Sequence, residues 1–550
     1  MGTHNLLQDR ELVQPPVKAR PALYFITILA ITILLSSKGM LSEGTAIMGD
    51  MPRHVMNGVF LYDAFRDLPS DPLKYAHHYF ARYPALSLGH HPLLLPIAEV
   101  PAFALAGISI FSSRLVIVGF ALIAVVFWFL LIRSLYGPHV AFLSSLLFIT
   151  SHMVVFYSRV TMSEMSALAF LMLTVYYFHK STRTKKIADV AICSLSMVLG
   201  LYAKVLLVFL IPLLLASLLM KKPFQKLREK TAWSLTALLL LLFMPLMIVT
   251  VNVAKENISW VFQNPKDYLS FTWLAAYPKI VWRLQLVPPV FLLSMLGLIM
   301  ALVNRGKREP FFLLWILFLY LELIIIGPGD GRYSIYWIPP LCLFAALVPE
   351  FTRPRVLKIG LFLALAGSAG YQTYQAARMK PEYIDGYEEA ARFIVNAKAD
   401  NVLYSASFDS GYFVFFIRKY DSEKRTVVLR SDKLLATSQL ASIVQEKVSS
   451  VSEIHSILQT FGIRYVVIED RKSPSRALEL LREEVRKDRF ILRKTIPIRS
   501  NASELQNVNL SIYEYADRKD ADPNAVIRID IPLMRKEIAV RLSELNAEGR

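Results

Sequence analysis

Residues 93–111 read LLLPIAEVPAFALAGISIF, and how this one segment is counted decides the topology of everything after it. It is apolar enough to cross a bilayer. Counted as a span, it would flip every later loop and put the basic clusters Lys180, Arg183, Lys185, Lys186 and Lys221 through Lys230 outside. Lys and Arg are instead retained on the cytoplasmic side of membrane proteins. The segment also carries Pro96, Glu99 and Pro101, which are costly in a lipid-facing helix. We read it as a helical segment lying along the outer surface or dipping partly in.

Outward from that segment the chain is a series of apolar runs. It has 550 residues, is 55% hydrophobic and has a mean hydropathy of +0.43, too apolar for a soluble protein of this size. A bilayer core of roughly 30 Å needs about 17–25 apolar residues per helix. Eleven runs meet or approach that: 21–37, 115–132, 140–156, 164–179, 187–203, 205–220, 232–251, 284–303, 311–327, 333–349 and 356–371. With residues 1–20 cytoplasmic (Lys18, Arg20), the inside loops contain Arg133, the two clusters named above, Arg305, Lys307, Arg308, Arg353 and Arg355. The expected fold is a polytopic α-helical membrane protein of about 11 transmembrane helices, spanning 21–379, with a C-terminal soluble α/β domain over 380–550 outside the membrane. The first run lacks a small-residue cleavage site and reads as an anchor.

The tail alternates helical and strand-like patterns. Residues 383–398 have helical spacing, and strand-like stretches follow at 401–407, 425–430, 464–470, 490–498, 509–515 and 526–532. Helical stretches near 452–461 and 474–487 separate some of them. No phosphate loop, metal-ligand spacing or nucleophile motif stands out there, so acceptor docking or stabilisation is its expected role.

The net charge of +18 is mostly topology. It is scattered over loops rather than gathered on one face, which argues against a nucleic-acid partner and for anionic lipid headgroups. Cys193 and Cys342 both lie within spans and offer the exported part no disulfide.

Candidate chemistry gathers in the first outer loop, 38–114. It holds Glu43, Asp50, Arg53, His54, Asp63, Asp67, Asp71, His77, His78, His90 and His91, and it is rich in aromatic residues. A loop this long exceeds a simple connector. The other outer mouths add Arg159 and Glu164 around the fourth run, Lys204 between two runs, and Asp330 and Arg332 in the turn GPGDGRY, 327–333. Ionisable residues at span boundaries are functional candidates, although snorkelling explains many basic ones. Glu322, inside the ninth run, reads equally as a buried pair partner or a channel-facing group.

In this order, Asp50-Met-Pro-Arg53, His-His-Pro (90–92), Arg114, Thr-Met-Ser-Glu164, Tyr-Ala-Lys204 and Gly-Arg332-Tyr before Ile-Pro-Pro, the chain resembles a known class. This is the GT-C class of polyprenyl-phosphate-sugar-dependent, integral-membrane glycosyltransferases. Within it the sequence is most similar to the branch of protein O-mannosyltransferases, the bacterial lipid A aminoarabinose transferase and the rhizobial core galacturonosyltransferases. The resemblance implies Asp50 as catalytic base, with Arg53 in the basic position three residues on. It implies Glu164 as a second catalytic acid, although the family usually has Asp there in an Asp-Pro pair. Lys204 and Arg332 fall at donor-phosphate positions. His90 falls where the lipid A branch has a metal-ligating Glu, and His91 where it has a phosphate-contacting Lys; this leaves a divalent metal open.

The chemistry agrees with those roles. A sugar phosphodiester on an isoprenoid carries its own activation, so no nucleotide fold is needed. Asp50 would accept the acceptor's proton, cations would meet the leaving polyprenyl phosphate, and attack opposite the phosphate would invert the anomeric centre. The expected function is therefore an inverting glycosyltransferase taking a polyprenyl-phosphate-sugar donor to a glycan, lipid or protein acceptor. The expected location is a bacterial inner membrane. A flippase or transporter would place charges near mid-membrane and often repeats its halves, and neither is seen. A ligase or polymerase acting on a lipid-linked saccharide uses similar donors and stays an alternative.

Overall fold

The computed structural model describes residues 21–41, 44–47, 49–87, 91–220, 269–304, 309–327, 329–405, 410–439, 443–531 and 536–548. The expected run 232–251 and the basic cluster 221–230 lie outside them, as does His90. All ten other apolar runs are helical, most of them as expected: Pro21–Ser36, Ile110–Tyr136, Glu164–Thr184, Ile187–Ala203, Pro288–Asn304, Glu309–Ile326 and Arg355–Arg378.

Three runs are not continuous α-helices. Run 140–156 breaks at Ser151, whose φ of −64° and ψ of 142° are extended, into Pro138–Thr150 and His152–Tyr157. Run 205–220 starts as a 3-10 helix, Val205–Phe209, before Leu210–Leu219. Run 333–349 likewise starts with a 3-10 segment, Gly331–Trp337, before Ile338–Phe351. By length and composition, Ile110–Tyr136 and the continuous stretch Gly331–Phe351 each suffice to cross a bilayer. The architecture is that of a polytopic helical membrane protein.

Segment 93–111 becomes the helix Leu94–Ala106. At 1.5 Å per residue its 13 residues rise about 20 Å, short of a bilayer core of roughly 30 Å. It packs against the first-loop helix Met51–Asp67 and against Ile110–Tyr136. Glu99, fully buried on it, accepts a hydrogen bond from Ser113, and Ser113 also bonds Thr161 at 3.0 Å. Burial pushes the Glu99 carboxyl up to about 8. The helix above approaches so closely that a Cβ at Gly58 would collide with this carboxyl group.

The tail forms a five-stranded mixed sheet. Asn401–Ser405 runs parallel to Val427–Arg430 on one side and to Tyr465–Glu469 on the other. Asn509–Tyr515 then pairs antiparallel with Tyr465–Glu469 and with the edge strand Phe490–Pro497. The inner parallel strands are buried throughout, whereas the edge strand Phe490–Pro497 is mostly exposed, with Phe490 and Ile496 buried. The strand expected at 526–532 forms outside this sheet, in a hairpin of Val526–Ile531 with Lys536–Arg541. The helix Ser410–Tyr420 was not anticipated from the sequence.

The tail does not stand apart from the first loop. Thr45–Ala46 pairs with Tyr383–Asp385, which pairs in turn with Arg499–Ser500, so loop and tail share a small sheet. Arg418 donates from Nε to Asp63 at 2.7 Å, and Tyr79 donates its hydroxyl to the same carboxylate at 2.6 Å. All three side chains are buried, which makes this a fully partnered internal charge pair.

Glu99 sets a pH dependence. Its folded-state pKa lies above the unfolded value, so the stability tied to its neutral form is fully present below about pH 4.5 and is lost as pH rises towards about 8. Thermal unfolding in detergent between pH 5 and 8 should show a falling Tm in wild type and a flatter profile in Glu99→Gln. Identical slopes would remove Glu99 as the titrating group.

Candidate functional site

The site is assembled from five chain segments that meet at one mouth of the helical bundle. The first is the start of helix Met51–Asp67. Pro52, in the first turn, favours initiation there because its missing N–H has no intrahelical partner to lose. Asp50 sits at the N-cap but makes no capping hydrogen bond with its side chain, so its carboxylate is available to other groups. Helical spacing puts Arg53 and His54, three and four residues on, beside it.

The second segment is the turn from Gly327 to Tyr333. Gly327 has a φ of +89° and lies against the Trp273 ring, a place where a Cβ would be both strained and within 2.7 Å of the indole. Tyr277 donates its hydroxyl to the Gly327 carbonyl at 2.9 Å, and Gln285 Nε2 donates to the Gly331 carbonyl at 2.8 Å. Asp330 Oδ1 accepts from the Arg332 backbone N–H at 3.0 Å. The turn delivers the Arg332 guanidinium to Asp50, with its NH1 donating to Oδ2 at 3.0 Å.

The third and fourth segments bring a second ion pair. The helix Ile187–Ala203 ends where Lys204 adopts an extended conformation, and the chain restarts as the 3-10 helix Val205–Phe209. This break turns the Lys204 ammonium onto Glu164, which opens the helix Glu164–Thr184 and is fully buried. A carboxylate in the first turn is favoured by the helix dipole. The two pairs meet at Tyr333, whose ring centroid lies 5.1 Å from Lys204 Nζ and 5.3 Å from the Arg332 guanidinium carbon.

His91 completes the cluster, with Nε2 3.5 Å from Asp50 Oδ1. First His91 and then Arg332 hold the Asp50 carboxyl well below the usual carboxylate range, against the opposing effect of burial. Arg53 stands 3.9 Å from Asp50 with about half of its side chain exposed, at the rim. His54 packs its ring against His91 at 4.5 Å between centroids. Burial depresses its pKa well below the ordinary histidine value, so it stays neutral beside the charged groups.

The structure thus joins Asp50, Arg53, His91 and Arg332 in one cluster, with Lys204 and Glu164 linked to it through Tyr333. Three other sequence candidates do different work. Arg159 donates to the carbonyls of Leu35, Ala376 and Met379 at 2.7–3.1 Å and ties two helix ends together. Arg114 donates to the Gly39 and Gly44 carbonyls at 2.9 and 3.2 Å. Glu322 lies beside the Phe209 backbone, at the end of the 3-10 segment after Lys204. Among the described residues no three His, Cys, Asp or Glu side chains gather as metal ligands. Asp50 and His91 offer two donors, and the Arg332 cation against the same carboxylate opposes a third positive centre. His90, the metal candidate of the sequence, lies outside the described residues.

Residues 90–249 match the family model of dolichyl-phosphate-mannose-protein mannosyltransferases. Among solved structures the chain is similar to ArnT from Cupriavidus metallidurans bound to undecaprenyl phosphate, at 11% identity and a TM-score of 0.56, over 88% of this chain and 99% of that one. The chain has the GT-C glycosyltransferase fold. It is also similar to the oligosaccharyltransferase from Archaeoglobus fulgidus in its apo form, at 12% identity and a TM-score of 0.54, covering 82% and 70% of the two chains. For the arabinofuranosyltransferase AftD from Mycobacteria the identity is 12% and the TM-score 0.53, over 91% of this chain and 40% of that one. No curated protein sequence matches the chain. Within this GT-C fold the five segments meet at one end of the bundle.

The Glu164–Lys204 pair tests the electrostatics of the mouth. Lys204→Met strands a buried carboxylate and should cost about 3–5 kcal/mol, read as a lowered Tm in detergent. The double variant Lys204→Met/Glu164→Gln should recover most of that loss while remaining inactive. Equal Tm values for the single and double variants would mean that the pair is not buried in solution.

Proposed function

We propose that the chain is an inverting glycosyltransferase that moves a sugar from a polyprenyl-phosphate-linked donor to an acceptor hydroxyl on the extracytoplasmic face of the membrane. The observation that carries the reading is the Asp50 carboxylate held between His91 and Arg332, with Lys204 across the Tyr333 ring. One carboxylate and two fixed cations at a bundle mouth supply what the reaction needs. ArnT, of similar fold, is bound to undecaprenyl phosphate, which supports a donor of that chemistry.

Asp50 takes the proton from the acceptor hydroxyl as its oxygen attacks the anomeric carbon. The anomeric carbon–oxygen bond to phosphate breaks on the opposite face, so the centre inverts and polyprenyl phosphate leaves. Lys204, Arg332 and His91 meet the charge that grows on that phosphate, and Arg53 at the rim adds to the positive field. Glu164, buried behind Lys204, orients that ammonium, and its catalytic part is exerted through it. The exposed Ile97 and Leu105 of the short outer helix offer an apolar face for the isoprenoid. We assign eleven spans, a cytoplasmic N-terminus, an extracytoplasmic tail and a bacterial inner-membrane location, in keeping with the loop charges.

Asp50→Asn should lower turnover of a polyprenyl-phosphate-sugar by about 100- to 10,000-fold, the range of one general base, with donor affinity changed far less. In cells, mass spectrometry should find a sugar-phosphate lipid that accumulates without the protein and in Asp50→Asn, and falls with wild type. A build-up rescued equally by Asp50→Asn would overturn the base assignment and point to transport.

A further inference from the structure

The tail reaches the catalytic end of helix Met51–Asp67 as well as its far end. A Cβ at Gly411 would stand 2.7 Å from Pro52, in the first turn of that helix. Tyr412, the next residue, donates its hydroxyl to the Ala46 carbonyl at 2.8 Å. Arg430 donates from Nη1 to the Pro84 carbonyl of the first loop at 3.2 Å. Arg430 ends the strand Val427–Arg430, and the short helix Ser431–Leu434 follows it directly. These contacts bring Lys433, on that short helix, within range of the Arg53 charge at the rim of the mouth.

Among the described residues, this rim carries more positive charge than its carboxylates neutralise. Asp432 is gripped by the Arg430 fork, at 2.9 and 2.6 Å. Asp50 is held by Arg332 and His91, with the half-exposed Arg53 at 3.9 Å. Glu446 accepts from Ser475, Arg476 and Ala477, at the start of another helix of the tail. The exposed Lys447 donates from Nζ to the Lys433 carbonyl at 3.0 Å, which sets a second ammonium beside the first. The partly exposed Lys433 ammonium itself makes no hydrogen bond or ion pair with any described residue. Burial, and then the charges of Arg430, Lys447 and Arg53, hold its pKa below the ordinary lysine value, against the pull of Asp432. Like charges crowded in this way repel, and a bound anion relieves them.

We propose that Arg53, Lys433 and Lys447 form an anion site at the rim of the mouth, which takes a phosphate or carboxylate group carried by the acceptor. Resting on the glycosyltransferase reading, this lets one acceptor molecule present its hydroxyl to Asp50 and its anion to the neighbouring cations. Arg53 belongs to both places. Its planar fork can grip two oxygens of the anion, while the lysines act as point charges. The tail thereby selects for an acidic acceptor, since a neutral one leaves the three cations facing one another.

The test uses the full chain in phosphatidylcholine nanodiscs preloaded with undecaprenyl phosphate, so that the donor-phosphate cations are already occupied. Glucose 6-phosphate, glucuronic acid, neutral glucose and inorganic phosphate are then titrated by calorimetry. The two acidic sugars should bind more tightly than glucose. Lys433→Met, which keeps the apolar stem, should weaken them about tenfold, the effect of one charge-assisted hydrogen bond. Lys433→Arg should restore most of that affinity, and undecaprenyl phosphate should bind Lys433→Met as it binds wild type. Equal affinity for glucose and glucose 6-phosphate, or no effect of Lys433→Met, overturns the site. Inorganic phosphate binding as tightly as glucose 6-phosphate would assign the site to the free ion and overturn its acceptor role. Loss of glucose 6-phosphate binding in nanodiscs of phosphatidylglycerol would assign it to lipid headgroups, with the same consequence. Lys433-dependent binding in a protein that turns over no lipid-linked donor would keep the anion site and overturn the glycosyltransferase reading instead.

Discussion

Asp50 and Arg332 are 282 residues apart in the chain and 3.0 Å apart in space. The rest of the mouth follows from that pair. A carboxylate drawn away from bulk water needs a cation, and a guanidinium in the same place needs a carboxylate, so neither segment is well placed without the other. Gly327, at the head of the turn, is held against Trp273 and by Tyr277, and the start of helix Met51–Asp67 is fixed by Pro52 and by Glu99 packed beneath Gly58. Two supports meet through one charge pair. Lys204 and Glu164 repeat the arrangement nearby, and both cations lie over the Tyr333 ring, which attracts each of them.

A second fixed point lies at the other end of the same helix. Asp63 is buried against Arg418 of the tail, with Tyr79 completing its hydrogen bonds. Helix Met51–Asp67 is therefore pinned at its start by the bundle and near its end by the tail. The tail thereby braces the first loop. Cutting the chain near residue 380 would remove the shared sheet with Thr45–Ala46 and leave Asp63 buried without its cation.

Much of this was legible in the sequence because a charge beside an apolar run is conspicuous. Glu164, Lys204 and Arg332 each interrupt or flank such a run, Asp50 stands in the long charged loop after the first one, and these are the residues the structure gathers. Their partners were harder to read. His54 looks like any polar residue on a half-buried helix, and only the approach of His91 from another segment gives it a role. Tyr333 is one of 25 tyrosines. The Asp63–Arg418 pair joins segments 355 residues apart, a distance local pattern cannot reach. Helix Ser410–Tyr420 (SGYFVFFIRKY) was missed because a dense aromatic and β-branched stretch fits strand and helix alike. Strand Val526–Ile531 was foreseen, but its partner was not, since pairing is decided by the turn and the hairpin strand that follow it.

The charge cluster also bears on how a strongly acidic carboxyl group serves as a base. Held by His91 and Arg332, Asp50 has little affinity for a proton, which on its own would make it a poor acceptor. On the proposed reaction a polyprenyl-phosphate donor competes for the same cations. Arg332 can share its guanidinium with the phosphate, and each contact so diverted raises the proton affinity of Asp50. The competition grows along the reaction coordinate, because the leaving phosphate gains negative charge as its bond to the sugar breaks. Proton uptake by Asp50 and departure of the phosphate then reinforce each other, and the stabilisation is greater in the transition state than in the ground state. A carboxylate restrained in this way would stay ionised until a donor arrives, and would become an effective base at the moment the acceptor hydroxyl must lose its proton.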